Sequence, residues 1–304
     1  MKRLFIPIIV MVALLTACGH RASNGAAEDS DSVAVDSEFR TDSIGLMHED
    51  SMVSIKVSVQ WPISGNDSLT ASIRQFLCEV MQTSPMQEGQ PEVKLYDDGQ
   101  KAVQALVDTM YNTLAGYWKE AREEGIPTDM AYSFDMRAFK LEETDLYITY
   151  VSNQEGFQGG AHGYATASCQ TFRKRDGLRI GYETEYDQQK DTFVMKNQTL
   201  FKDPKSPKLA ALIKEGVRNY FQEFEQDVTT DEALKDMLIG VDDVNSIPLP
   251  SNAPSFTKDG LSFIYQQYEI APYAAGMICF DLPYEKVRPY LTKEAAECVP
   301  HSDL

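Results

Sequence analysis

Tyr132-Ser133-Phe134-Asp135-Met136 and, ten residues on, Leu146-Tyr147-Ile148-Thr149-Tyr150 decide the fold class. In both, large apolar side chains stand at every second position, the period at which a strand turns one face to a core. The segment after Gly163 extends the pattern, and Asp176-Gly177 offers a hairpin turn into Leu178 and Ile180. Strands joined by short polar turns predict a meandering antiparallel sheet. Upstream, Ile55, Val57, Val59 and Trp61 alternate in the same way, and Pro62 is expected to end that strand.

Working outward, the period changes to that of helices. Asp67 is expected to cap a helix carrying Leu69, Ile73, Phe76, Leu77 and Val80 on one face. After a Pro/Gly/Gln-rich loop, Pro85 to Gly99, a second helix is predicted over Gln100 to Glu123. Its stripe of Val103, Leu106, Val107, Met110, Leu114, Tyr117 and Trp118 reads as core, and it ends at Gly125-Ile126-Pro127. Ser206-Pro207 opens a third helix with Leu209, Leu212, Val217, Tyr220, Phe221 and Phe224 at helical spacing. Two late strands follow, Leu261 to Tyr268 and Met277 to Leu282. With no βαβ alternation, the expected class is α+β: a mostly antiparallel sheet with helices packed on one face, in two sequential subdomains, 52–140 and 141–304.

The N-terminus has another composition. Lys2 and Arg3 precede an apolar run from Leu4 to Leu15, the order of a secretory signal peptide, expected over residues 1–17. A membrane-spanning helix needs about 20 apolar residues, which this run does not supply. Leu15-Thr16-Ala17-Cys18 resembles the lipobox of bacterial lipoproteins. That resemblance implies acylation of Cys18 and a membrane held by lipid chains alone. Gly19 follows the cysteine, which by analogy with Gram-negative sorting favours the outer membrane. Residues 18–51 hold eight acids against Arg21 and Arg40 and little to bury, and are expected to form a disordered acidic tether. Within them Asp31-Ser32-Val33, Asp42-Ser43-Ile44 and Asp50-Ser51-Met52 resemble a short envelope O-glycosylation signal.

Charge and composition exclude several classes. The formal net charge is −18, and loss of Lys2 and Arg3 takes it to −20, which argues against nucleic acid and favours basic ligands. The sequence has four histidines, His20, His48, His162 and His301. There is no HExxH, CxxC, G-x-S-x-G, P-loop or G-x-G-x-x-G pattern, so no catalytic residue, metal or cofactor is expected. Besides Cys18, the cysteines are Cys78, Cys169, Cys279 and Cys298, whose even number permits three disulfide pairings and whose setting equally suits buried thiols.

Two loops remain as candidate sites. Gly159-Gly160-Ala161-His162-Gly163 concentrates three glycines in five residues, permitting positive φ and close backbone approach. It serves either a contact surface or a tight turn in which His162 bonds nearby backbone. Tyr268-Glu269-Ile270-Ala271-Pro272-Tyr273-Ala274-Ala275-Gly276 offers flat amphipathic area of the kind used in recognition, or closes the sheet end. The candidate ligand-binding residues are Gly159, Gly160, His162, Tyr164, Tyr268, Glu269 and Tyr273. A tyrosine-lined groove beside His162 would join the two loops into one site.

Together these motifs resemble the RsiV-type C-terminal domain family, extracytoplasmic domains of unknown function. The matching stretches are Tyr150 to Phe172, Thr199-Leu200-Phe201 and Gly260 to Leu291. Val53 to Phe139 is similar in outline to the PdaC-type domain that commonly precedes it. Members include an anti-sigma factor whose extracellular part binds lysozyme and a peptidoglycan deacetylase in which the module is not the enzyme. The deacetylase's catalytic His and Asp motifs have no counterpart here, and with export expected from residue 1 the anti-sigma role is not carried over. The chain departs from the family pattern between Ile180 and Gln198, where an acidic insertion carries Glu183, Glu185, Asp187 and Asp191. The resemblance implies a non-catalytic, lipid-anchored envelope protein binding a basic, lysozyme-like protein or peptidoglycan. The rival expectations are a carboxylate hydrolase of envelope polymers and a structural lipoprotein without a ligand.

Overall fold

The computed structural model describes residues 38–83, 92–187, 192–224 and 226–300. The expected signal peptide, Cys18 and the tether as far as residue 37 lie outside these residues. Among the described residues, no helix is long and apolar enough to cross a membrane.

The first strands form as a hairpin, β1 (Arg40–Glu49) antiparallel to β2 (Val53–Ser64). Asp50 fixes the turn by accepting the amides of Met52 and Val53 at 2.7 and 2.9 Å. β1 corrects the tether, whose second half is an ordered edge strand. The strand is hard to see because an edge strand is mostly solvated, and of its ten residues only Ile44, 5% exposed, is buried. β2 also runs past Pro62. Its pairing with the next strand stops at Val59, so the far end of β2 has a neighbour on one side only, where a missing amide is tolerated.

Helices α1 (Asp67–Gln82) and α2 (Gly99–Glu123) follow. The cap of α1 is Asn66, not Asp67: its Oδ1 accepts the amides of Ser68 and Leu69. Asp98 caps α2, and Gly99 lets that helix start against the sheet, since a Cβ there would stand 2.5 Å from both Ile44 Cδ1 and Trp61 Cγ. α2 stops at Gly125, φ +77°, with Ile126 donating back to Ala121.

Four more strands complete the sheet: β3 (Tyr132–Glu143), β4 (Tyr147–Phe157), β5 (Tyr164–Arg173) and β6 (Arg179–Ile180), in the order β1-β2-β3-β4-β5-β6. β2 and β3 are parallel, in register from Val53–Tyr132 to Val59–Ala138. That corrects the expectation of no parallel crossover, because two helices instead of one fill the connection and hide the βαβ rhythm. The other pairings are antiparallel. Next come a small hairpin, β7 (Glu183–Asp187) and β8 (Thr192–Lys196), in the acidic insertion, then α3 (Pro207–Glu223) and α4 (Asp231–Asp236). Ser206 stands at the N-cap of α3 as expected, but its side chain makes no capping bond. A three-stranded sheet of β9 (Ser255–Phe256), β10 (Gly260–Tyr265) and β11 (Ile278–Pro283) ends the main architecture, followed by the short helices α5 (Tyr284–Val287) and α6 (Lys293–Ala296).

The class is α+β with two hydrophobic cores. The expected seam at 140/141 falls inside β3, and the cores meet across the sheet. Ile148, Tyr150 and Phe172 turn to the core under α1 and α2, while Tyr147 of β4 belongs to the second core. On that second face, Thr149 Oγ1 donates to the Phe256 carbonyl at 2.7 Å, and the Phe256 amide donates to Thr171 Oγ1 at 2.9 Å. Arg173, itself buried, binds Asp176 and the distant Glu297, each at 2.6 Å. The thiols of Cys78, Cys169, Cys279 and Cys298 are free.

Candidate functional site

The glycine-rich loop joins β4 to β5, and each glycine has its own reason. Gly159 and Gly160 have φ of +87° and +84°, which glycine adopts at no steric cost. Gly159 also lies against Tyr132, whose hydroxyl would be 2.9 Å from a Cβ. Gly163 crosses the Gly156 carbonyl so closely that a Cβ would sit at 2.6 Å. The loop presents His162 to solvent, with Nδ1 2.8 Å from the Gly163 carbonyl. His162 thus has the bond to nearby backbone expected of a tight turn and the exposure expected of a contact surface.

The tyrosine loop reaches the same place by another route. β6 pairs only with the Thr171–Phe172 end of β5, leaving the Ala165–Ala167 edge open. Side-chain amides close it: Gln267 accepts the Ala165 amide at 3.1 Å, and Gln266 bonds both the amide and the carbonyl of Ala167. These contacts hold the turn Gln266–Glu269 against β5, and the Glu269 amide donates to the Gln266 carbonyl at 3.1 Å. Further along, Ile270 and Ala271 are buried, and Tyr220 of α3 donates to the Ala275 carbonyl at 2.6 Å.

The two loops meet. The ring of His162 stacks on that of Tyr273, centroids 3.8 Å apart and planes 20° from parallel, and the Tyr273 hydroxyl donates to the Gly163 carbonyl at 3.0 Å. Tyr268 stands beside both rings, its hydroxyl 3.4 Å from His162 Nε2 and its centroid 5.8 Å from that of Tyr273. Tyr268 has φ +66° at the third position of its turn, where a type II turn takes glycine. A bulky residue in that region costs about 1–3 kcal/mol, yet this side chain is 56% exposed. Little burial offsets that cost.

The other candidates are placed as follows. Glu269 is half-buried, and its two carboxylate oxygens accept the amides of Ser251 and Gln266 at 2.5 and 2.7 Å. It is a positioning residue for the loop. Tyr164 is half buried, its hydroxyl has no hydrogen-bond partner among the described residues, and burial pushes its pKa above the ordinary value.

A cleft of about 530 Å³ opens beside His162, lined by Tyr117, Tyr132, Tyr164, Gln158, Glu120 and Glu124 among others. The cleft is tyrosine-lined and lies beside His162, but neither Tyr268 nor Tyr273 lines it, so the two loops are joined by the His162–Tyr273 stack and not by this groove. Tyr117 corrects the reading of the α2 stripe: Trp118 is core, but Tyr117 is 44% exposed and faces this cleft. The signal was its phase, because Tyr117 follows Thr109 and Thr113 at steps of four and precedes Glu120 and Glu124 on the polar side. Among the described residues, no group of three or more His, Cys, Asp or Glu could hold a metal ion.

Comparison with known proteins places the fold. Residues 198–285 match the family described as Protein of unknown function (DUF3298). No curated protein matches the chain. A solved structure of a DUF3298 family member from Bacteroides fragilis is similar with a TM-score of 0.59 at 17% identity, covering 85% of this chain and 96% of that one. A DUF3298 family protein from Pseudomonas aeruginosa gives 0.53 at 12% identity, with the same coverage of 85% and 96%. The chain therefore carries a DUF3298 match over residues 198–285 and shares its fold with solved structures of that family.

Proposed function

We propose that this protein is a non-catalytic, lipid-anchored protein of the bacterial envelope, outer membrane favoured, that binds cell-wall glycan on the platform of His162, Tyr268 and Tyr273. The observation that carries the reading is Tyr268: an exposed aromatic ring held at φ +66° beside a stacked His–Tyr pair. Flat rings with polar edges suit the faces and hydroxyl edges of sugars, and Gln158, Glu120 and Glu124 in the adjoining cleft supply acceptors. The anchor rests on Leu15-Thr16-Ala17-Cys18. The finer likeness, an RsiV-type C-terminal domain behind a PdaC-like one, belongs to the same proposal.

The test is a pull-down on purified peptidoglycan. Retention should survive added salt and be lost in Tyr268→Ala and His162→Ala, and retention unchanged in both variants would sink the platform. Palmitate labelling lost in Cys18→Ala tests the anchor. Net charge −18 and the cleft carboxylates Glu120 and Glu124 favour a second reading, a basic partner of lysozyme type. Its mark is calorimetric binding that weakens steeply as salt rises. Release of muropeptides by the purified protein would instead make it a hydrolase.

A further inference from the structure

Along the length of α2 runs more space than the platform needs. A second cleft, of about 390 Å³, lies between α2, the end of α1 and the sheet, and Tyr117 and Gln158 line both it and the cleft beside His162. Taken as continuous at these two side chains, the adjoining clefts make one groove. Its helix side is a single face of α2, from Ala102 through Thr109, Thr113 and Tyr117 to Glu124. At 1.5 Å per residue that face is about 33 Å long.

The lining chooses among occupants. Among the described residues the second cleft is lined by no charged side chain, although Lys94 Nζ lies 4.8 Å over the Tyr96 ring; it offers the Tyr117 ring, threonine hydroxyls and the Gln158 amide, while the amides of Gln82 and Gln154 already bond the Lys94 backbone and the Val80 carbonyl. Among the described residues neither cleft is lined by Lys or Arg, so a polyanion meets no counter-charge in their walls. Among the described lining residues only Glu120 and Glu124 carry negative charge, both at the His162 end, so a polycation meets no carboxylate along the second cleft's described wall. Gln158 Oε1, where the two clefts meet, and the Tyr164 hydroxyl, on the His162 side, have no hydrogen-bond partner among the described residues, and such unpaired groups call for an explanation.

We infer that this groove is the track of a neutral linear chain of pyranose rings, laid along α2 from the His162 platform toward Tyr96. The inference rests on the glycan reading above and extends it from one contact point to a chain with several subsites. A single platform binds short and long chains alike, whereas a track gains affinity with every ring it covers.

The experiment is a titration of the full-length protein with β-1,4-linked N-acetylglucosamine oligomers, dimer against hexamer. The hexamer should bind about tenfold or more tightly than the dimer. Thr113→Arg, an exposed helix-compatible change in mid-groove, should remove most of that advantage, and Thr109→Arg should repeat the effect. Gly116→Ala, on the same helix but off the groove, should leave the advantage in place. Equal affinity for dimer and hexamer, no effect of either arginine, or displacement of the hexamer by a lysine-rich peptide would each overturn the track. If the dimer binds and Tyr268→Ala abolishes that binding while length adds nothing, the platform stands and the track falls. If no oligomer binds at any length, the glycan reading itself falls.

Discussion

Gly216 of α3 lies flat against the ring of Phe280 on β11: a methyl group at Gly216 would stand 2.2 Å from Phe280 Cδ2. The helix can rest on the strand only because one position has no side chain. Gly216→Ala should destabilise the protein by roughly 1–3 kcal/mol as the helix is pushed off, read as a lower urea midpoint. Pairing it with Phe280→Leu should recover part of the loss, because the smaller side chain makes room.

Tyr268→Gly separates strain from recognition. Glycine suits the positive φ, so the melting temperature should hold or rise, by about 1 kcal/mol in stability, while retention on peptidoglycan falls. A clear loss of stability would mean that the ring contributes more by packing on His162 and Tyr273 than the backbone loses.

Gly116 sits exposed in the middle of α2, and a Cβ there meets nothing within 4 Å. Gly116→Ala should therefore stabilise by about 1 kcal/mol through helix propensity alone, seen in thermal melts.

Acid should loosen the anchor at Arg173. The guanidinium of Arg173 holds the Asp176 carboxyl below its ordinary 3.8 against a smaller opposing effect of burial, and the Leu178 amide helps. The folded protein then binds that proton less tightly than the unfolded chain, so the contribution is complete above the ordinary value and fades as pH falls through the lowered one. Asp176→Asn should flatten the dependence of the urea midpoint on pH below 3.8. Some slope should remain, because Asp50, held by the Met52 and Val53 amides, is lowered in the same direction.

What could be read in the sequence follows local physics. The alternation from Ile55 to Trp61, the Gly125 stop and the Ser206-Pro207 start depend on near neighbours, and each is found where expected. β1 was not legible, because only Ile44 of that strand is buried, with Leu46 half-buried beside it, and the rest has the composition of a tether. The glycine-rich loop announced its positive φ values, but not that His162 would meet Tyr268, 106 residues away. That depends on Gln266 and Gln267 closing an open sheet edge, a role no local pattern reveals. The hold of Glu269 on two backbone amides was not legible either, since an acidic residue looks the same in sequence whatever its carboxylate meets.

The sheet that separates the two cores also decides how this protein can be divided. β4 and β5 send alternate side chains to opposite sides, so a fragment starting after residue 140 would lay Ile148, Tyr150 and Phe172 bare to water, while one ending there would lose the wall beneath α1. A cut at residue 140 would therefore pass through a wall that both cores share. The smallest exchangeable piece runs from the first edge strand to the last short helix, and it should melt in a single step.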